Sequence, residues 1–181
     1  MTFYRRHLPH WQPEGHELFI TWRLHGSLPP NFRPPKDSGS TGREFVSYDR
    51  ILDGAATGPV WLNNPRVAEV VCQALREAQA TKLIGLRAYV LMANHVHVLI
   101  EPLVPLPKIT HRIKGATAYR ANLILRRTHS RFWQDESFDR WVRNPAECQK
   151  IKSYIENNPV AAGLVKRPEN WPWSSAARTI E

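Results

Sequence analysis

The chain has 181 residues, and its 25 Lys and Arg against 16 Asp and Glu leave a formal charge of +9. An apolar fraction of 42% with seven Trp excludes a disordered tail, and no window holds the roughly eighteen continuous apolar residues of a membrane span. The length suits a single domain (residues 1–181) with one core, and the basic excess favours a polyanionic partner, nucleic acid being the commonest. The first residues, MTFYRRHLPHW, carry basic groups with no apolar run behind them, unlike a secretory leader. Cys72 and Cys148 stand far apart with no CxxC spacing, so reduced thiols and a cytoplasmic location are expected.

Residues 17–24, ELFITWRL, are rich in strand formers and predict a first strand. From about residue 26 to 59 the chain is dense in Pro, Gly and Ser. That composition reads as an irregular loop with a short helix around Tyr48–Leu52. Asn64 then suits an N-cap and Pro65 a first helical position, and Val67, Val70, Val71, Ala74, Leu75 and Ala78 trace one apolar stripe. Two strands are predicted next, Leu83–Met92 and His95–Glu101, joined through a tight Ala93-Asn94 turn. A second long helix is predicted over Pro107–Arg127, with Ile109, Ile113, Ala116, Leu123 and Ile124 inward and its Lys and Arg residues outward. Phe138–Arg143 predicts a short strand, and Asn144-Pro145 opens a third helix. Pro159 is expected to end that helix, because a residue before proline is pushed out of the α region. The tail GLVKRPENWPWSSAARTIE predicts a packed extension. This order predicts an α+β, ferredoxin-like four-stranded antiparallel sheet, helices on one face, and an added C-terminal helix. The first and third strands are then central.

The third of these strands carries the chemistry. Asn94-His95-Val96-His97-Val98-Leu99-Ile100 alternates with period two, so His95 and His97 share one face and Val96, Val98 and Ile100 the other. Two adjacent imidazoles on a rigid strand make a bidentate metal platform; the same pattern also suits two histidines satisfied by neighbours. On the third helix, Cys148, Ile151 and Ile155 form an apolar stripe, while Glu147, Lys150, Tyr154 and Asn158 form a polar one. Tyr154 and Asn158, one turn apart, face the same way, an arrangement that suits both a reactive phenol and plain packing. Arg112, Arg120, Arg126 and Arg127 on the second helix, with Arg131, Lys150 and Lys152, could track phosphates. Tyr119, Phe132 and Trp133 could stack on bases or fill the core.

The segment Leu91–Ile100 resembles the histidine–hydrophobic–histidine (HUH) motif of single-tyrosine transposases. Further blocks of that family resemble Lys114–Ala118 and Phe132–Asp139. The stretch Tyr154–Val165 with Trp171–Ala176 is similar to the REP-associated tyrosine transposases, and the resemblance runs from about residue 16 to 177. It implies that His95 and His97 hold a divalent metal ion, Mg2+ or Mn2+, with Asn158 at the position of a third ligand. Imidazole ligands by themselves favour manganese. It implies that Tyr154, on the added helix, attacks a DNA phosphodiester to give a 5′-phosphotyrosine and a free 3′-hydroxyl. The implied substrate is single-stranded DNA folded into hairpins of REP-like palindromes. Two residues depart from the family pattern: Ala93 stands where Pro is usual, and Asn158 where insertion-sequence members carry Gln. Tyr119 is the rival nucleophile, and Lys150, one turn before Tyr154, is the sequence's candidate for lowering the phenol's pKa. Monomer and homodimer are both left open. The competing readings are a non-cleaving nucleic-acid-binding module and a hydrolase in which water attacks.

Overall fold

The computed structural model describes residues 2–5, 9–12, 15–29, 42–54 and 58–177, excluding the side chains of 2–5, 9–12 and 42–47. A separate antiparallel pair, β1 (Thr2–Arg5) and β2 (Pro9–Gln12), precedes the main sheet. The main sheet is built from β3 (Leu18–Arg23), β4 (Ile84–Leu91), β5 (His95–Pro102) and β6 (Phe138–Trp141). It is antiparallel throughout, in the order β4-β5-β3-β6. The first and third of these strands, β3 and β5, are therefore central, as predicted. Their pairing sets Thr21 opposite His97 and Arg23 opposite His95.

Among the described residues four α-helices cover this sheet: α1 (Gly42–Asp53), α2 (Pro65–Ala80), α3 (Leu106–Ile124) and α4 (Pro145–Ala161). Strand alternation divides the core in two. Leu18, Ile20, Trp22, Val96, Val98 and Ile100 pack with α2 and α3 on one face. Phe19, Ala88, Val90 and Leu99 pack with Tyr48 and Leu52 of α1 and Ile155 of α4 on the other. The added helix thus covers the sheet's second face together with α1.

Three expectations are corrected by the structure. The Pro-rich excursion contains a helix of 12 residues, longer than the short one expected around Tyr48–Leu52; burial of Tyr48 and Leu52, four apart on one side, holds it to the sheet. Pro159 does not end α4 but lies inside it. Its missing N–H costs one bond within the helix. Ala162 N–H still reaches Asn158 O at 2.9 Å and Leu164 N–H reaches Pro159 O at 2.9 Å. The helix stops at Gly163, whose φ of 72° closes it in the left-handed region. On α3 the buried row is Ile109, Ile113, Thr117 and Ala121, whereas Leu123 is 52% exposed and Ala116 also faces solvent. Thr117 tolerates burial because its hydroxyl bonds Ile113 O at 2.7 Å and accepts Trp133 Nε1–H at 2.8 Å.

The predicted starts of α2 and α4 hold, whereas α3 stops at Ile124, before the predicted Arg127, and β6 at Trp141, before Arg143. Asn64 and Asn144 cap α2 and α4 through side-chain oxygens accepting from Arg66 N–H and Glu147 N–H. Met92 N–H bonds His95 O at 2.9 Å across the Ala93-Asn94 turn. The tail lies along the outer edge of β4. Leu91 N–H bonds Trp173 O, Ser175 N–H bonds Tyr89 O, and Trp171 Nε1–H reaches Leu91 O, so this edge strand is covered. The excursion closes at its base, where Gly58, with φ of 79°, packs against Gly26; a Cβ there would lie 2.0 Å from Gly26 O. Among the described residues no helix is long and apolar enough to cross a membrane.

Candidate metal and tyrosine site

His95 and His97 point from β5 into the space under α1 and α4, and both are fully buried. Their Nε2 atoms lie 3.1 Å apart. Each ring is oriented from behind: His95 Nδ1 lies 2.7 Å from Asn94 Oδ1, and His97 Nδ1 lies 2.7 Å from Thr21 Oγ1 across the sheet. An amide oxygen only accepts, so His95 Nδ1 carries the proton and Nε2 presents its lone pair inward. Asn94 in turn donates from Nδ2 to Leu52 O at 3.0 Å, tying α1 to the histidine strand. Burial, with His97 beside it, holds His95 down to about 3, so it is neutral at neutral pH.

Facing the histidines are two carboxylates that sequence reasoning missed. Asp49 Oδ1 lies 2.9 Å from His97 Nε2 and 3.5 Å from His95 Nε2, and Asp53 Oδ1 lies 3.7 Å from His95 Nε2. Burial opposes the charge on Asp49, yet the two imidazoles and the Tyr154 hydroxyl hold its carboxyl well below the usual range. Asp53 is the opposite case: burial first, and then the Asp49 charge, push it up to about 7. From α4, Tyr154 donates its hydroxyl to Asp49 Oδ2, and Asn158 Nδ2 donates to the same oxygen at 3.0 Å. Burial and the two carboxylates raise the Tyr154 phenol above its ordinary value, contrary to the lowering expected from Lys150.

This donor set fits a divalent cation. Asp53 Oδ1 and Asn158 Oδ1 are buried oxygens that receive no hydrogen bond, and Asp49 Oδ1 beside them faces only imidazole nitrogen, a costly arrangement unless something positive lies among them. Ligand atoms of Asp49, His95 and His97 all fall within 4.8 Å of one another. The 3.1 and 2.9 Å separations match the roughly 3 Å between neighbouring ligands on an ion with bonds of about 2.1 Å. Asn94 and Thr21 supply the outer support usual for metal-binding imidazoles.

The other sequence candidates divide between the two faces. Lys150 lines a groove beside Tyr154, and Lys152 is half-buried on the same helix. Arg112, Arg120 and Arg126 are exposed on or just beyond α3, behind the sheet from the histidines. Arg127 stacks over Trp61 at 3.6 Å, and Arg131 lies 3.6 Å from Asp135. Tyr119, 69% exposed on α3, is likewise remote from the cluster, while Phe132 and Trp133 are core residues.

With this geometry in view, residues 59–158 match the family described as "Transposase IS200 like". The chain belongs to the IS200-like transposase family. The matched stretch holds His95, His97, Tyr154 and Asn158 and begins after Asp49 and Asp53. This IS200-like transposase is also similar in fold to a solved "REP associates tyrosine transposase bound to a REP hairpin". The TM-score is 0.62 at 20% identity, over 97% of this chain and 82% of that one. A crystal structure from Deinococcus radiodurans, of a protein assigned as a transposase, matches at 18% identity and a TM-score of 0.39. It covers 82% of this chain and 98% of its own. No curated protein matches the transposase.

Proposed function

We propose that the chain is a metal-dependent single-strand DNA transesterase of the single-tyrosine HUH type, cutting and rejoining strands at hairpin-forming, REP-like repeats. The observation that carries this reading is the convergence of Tyr154, His97 and His95 on one carboxylate, Asp49. The nucleophile and the cation-binding groups therefore share one site. A Mg2+ or Mn2+ ion held by His95, His97 and Asp49, with Asn158 Oδ1 beside them, would supply positive charge to the phosphate and the departing oxygen.

In the reaction Tyr154 Oη attacks the phosphorus, the bond to the 3′-oxygen breaks, and the 5′ end is left on Tyr154 as a phosphodiester. Asp49 Oδ2, already accepting the Tyr154 hydroxyl, orients it toward the phosphorus; the phenol's proton passes to solvent as the new bond forms, and the 3′-oxygen leaves as a hydroxyl after protonation from solvent. The phosphotyrosine keeps the bond energy, so a second 3′-hydroxyl reverses the step and joins strands. Hairpin DNA as substrate is supported by the fold likeness to a protein solved with a REP hairpin.

A non-cleaving DNA-binding module is the second reading, favoured by the complete burial of the histidines and the near-complete burial of Asp49 and Asn158 under α1. One experiment separates the readings. A labelled single-stranded hairpin oligonucleotide is incubated with Mn2+ and run on a denaturing gel. An adduct with the wild type that is lost in Tyr154→Phe and His95→Ala is the expected result. Cleavage without adduct, unaffected by Tyr154→Phe, would mean that water attacks; binding without cleavage would favour the module.

A further inference from the structure

Tyr154 stands between two compartments. Its hydroxyl enters the carboxylate–imidazole cluster, while its ring forms part of the wall of a groove of about 240 Å3 on the other side. The remaining wall is Phe19, Phe138 and Ile151, with Arg140 and Lys150 at the mouth. The aromatic walls meet edge-on: Phe19 and Phe138 have centroids 6.4 Å apart at 69°, and Phe19 and Tyr154 are 6.4 Å apart at 90°. The volume, roughly that of eight liquid waters, accommodates a single planar base.

The charge at the mouth is the second observation. Among the described residues lining the groove Glu147 is the one acid, and it is already held by Arg140 and by Arg143 at 2.9 and 3.1 Å. Hydrogen bonding from Arg143 depresses its carboxyl to about 2. Two arginines on one carboxylate, with Lys150 in addition, leave the rim positive above an aromatic interior. That combination suits a nucleotide: phosphate at the rim, base against the rings.

We propose that this groove seats the nucleotide adjoining the scissile phosphate, with its base stacked on Phe138 and its phosphate beside Lys150. The inference rests on the transesterase reading above, because only a strand delivered to Tyr154 lies in this groove. Phe138 is half-buried on the edge strand β6 and presents ring to the groove, whereas Phe19 is buried in the core. Phe138 and Lys150 are therefore positioning residues, and neither touches the reacting atoms.

The test uses the Tyr154→Phe protein with Mn2+ and hairpin oligonucleotides carrying one abasic site at each position around the cut made by wild type. One position next to the cut is expected to lose affinity by about 5- to 150-fold, the factor for one lost base–aromatic stack. In the added Phe138→Ala background that penalty disappears, and in Phe138→Trp it persists. A 2-aminopurine at the same position is quenched on binding unless Phe138 is Ala. Lys150→Ala reduces the salt slope of binding by about one. Thermal melts identify any variant that fails to fold, and Phe138→Trp keeps the test decisive if Phe138→Ala is lost. A flat abasic scan, or a penalty unchanged in Phe138→Ala, overturns the proposal. If wild type still forms the phosphotyrosine adduct, the transesterase reading survives that failure; no adduct and no binding sinks both.

Discussion

The Tyr154 hydroxyl on α4 donates to Asp49 Oδ2 on α1, a contact spanning 105 positions of sequence. The opposite oxygen of the same carboxylate lies 2.9 Å from His97 Nε2. Asp49 therefore joins the Tyr154 hydroxyl to the histidine pair, and it is 1% exposed. Its charge is acceptable at that depth only because imidazole, phenol and amide groups surround it.

Replacing Asp49 by Ala should weaken Mn2+ binding by about 10- to 100-fold, the scale seen when groups supporting a metal site are lost. Adduct formation should fall at least as far. Calorimetric titration of Mn2+ checks the first effect and the hairpin gel the second. Unchanged Mn2+ affinity would remove Asp49 from the ligand set.

Two buried groups give the metal-free protein opposing pH responses. Asp53 titrates at about 7 when folded against 3.8 ordinarily, because of burial and then the Asp49 charge. Its contribution is fully present below about 3.8 and is lost as pH rises through 7. His95 titrates at about 3 against 6.5, so its contribution is present above 6.5 and lost as pH falls toward 3. Between about pH 4 and 6.5 the two slopes offset each other. Asp53→Asn should remove the first, raising stability at about pH 8 by on the order of 2 kcal/mol. The His95 slope then stands alone, with stability climbing from about pH 4 to 6.5. Urea unfolding in EDTA across that range measures both, and a variant with the parental pH profile would contradict the assignment.

Much of this site was legible from residue spacing. Period two put His95 and His97 on one face of a central strand, and helical spacing put Tyr154 and Asn158 on one side of α4. Asp49 and Asp53 were not found, because the Pro, Gly and Ser around them hid a helix. A signal was present in Tyr48-Asp49-Arg50-Ile51-Leu52-Asp53: an apolar pair and an acidic pair, each four apart, on adjacent sides of one helix. The phase of α3 was misjudged for a different reason. Leu123 is apolar and exposed, while Thr117 is polar and buried, and Trp133, which satisfies Thr117, lies sixteen residues away in sequence.

That pair gives a stability prediction. Thr117→Val keeps the side-chain shape but strands the buried Trp133 N–H, now bonded at 2.8 Å. The cost should be about 1–3 kcal/mol, and Thr117→Ser, which keeps the acceptor, should recover most of it. Chemical denaturation compares the two. Equal losses in both variants would mean that methyl packing, not the hydrogen bond, governs this position.

Gly58 tests whether the base of the excursion sets the seat of α1. At φ of 79° a side chain is already disfavoured, and a Cβ would lie 2.0 Å from Gly26 O and 2.9 Å from Ser27 Cα, all backbone. Gly58→Ala therefore forces the two ends of the excursion apart, at a cost of about 2–4 kcal/mol by the scale of backbone strain and overpacking. Between those ends lies α1 with Asp49, and its last turn is tied to the turn before β5 where Asn94 Nδ2 donates to Leu52 O at 3.0 Å. A displaced base should thus lower Mn2+ affinity as well as stability, although Gly58 offers no ligand. Mn2+ titration at a temperature where Gly58→Ala is fully folded separates the two effects. Full affinity there would show that α1 is seated by its own contacts with β5 and α4, independent of where the excursion begins and ends.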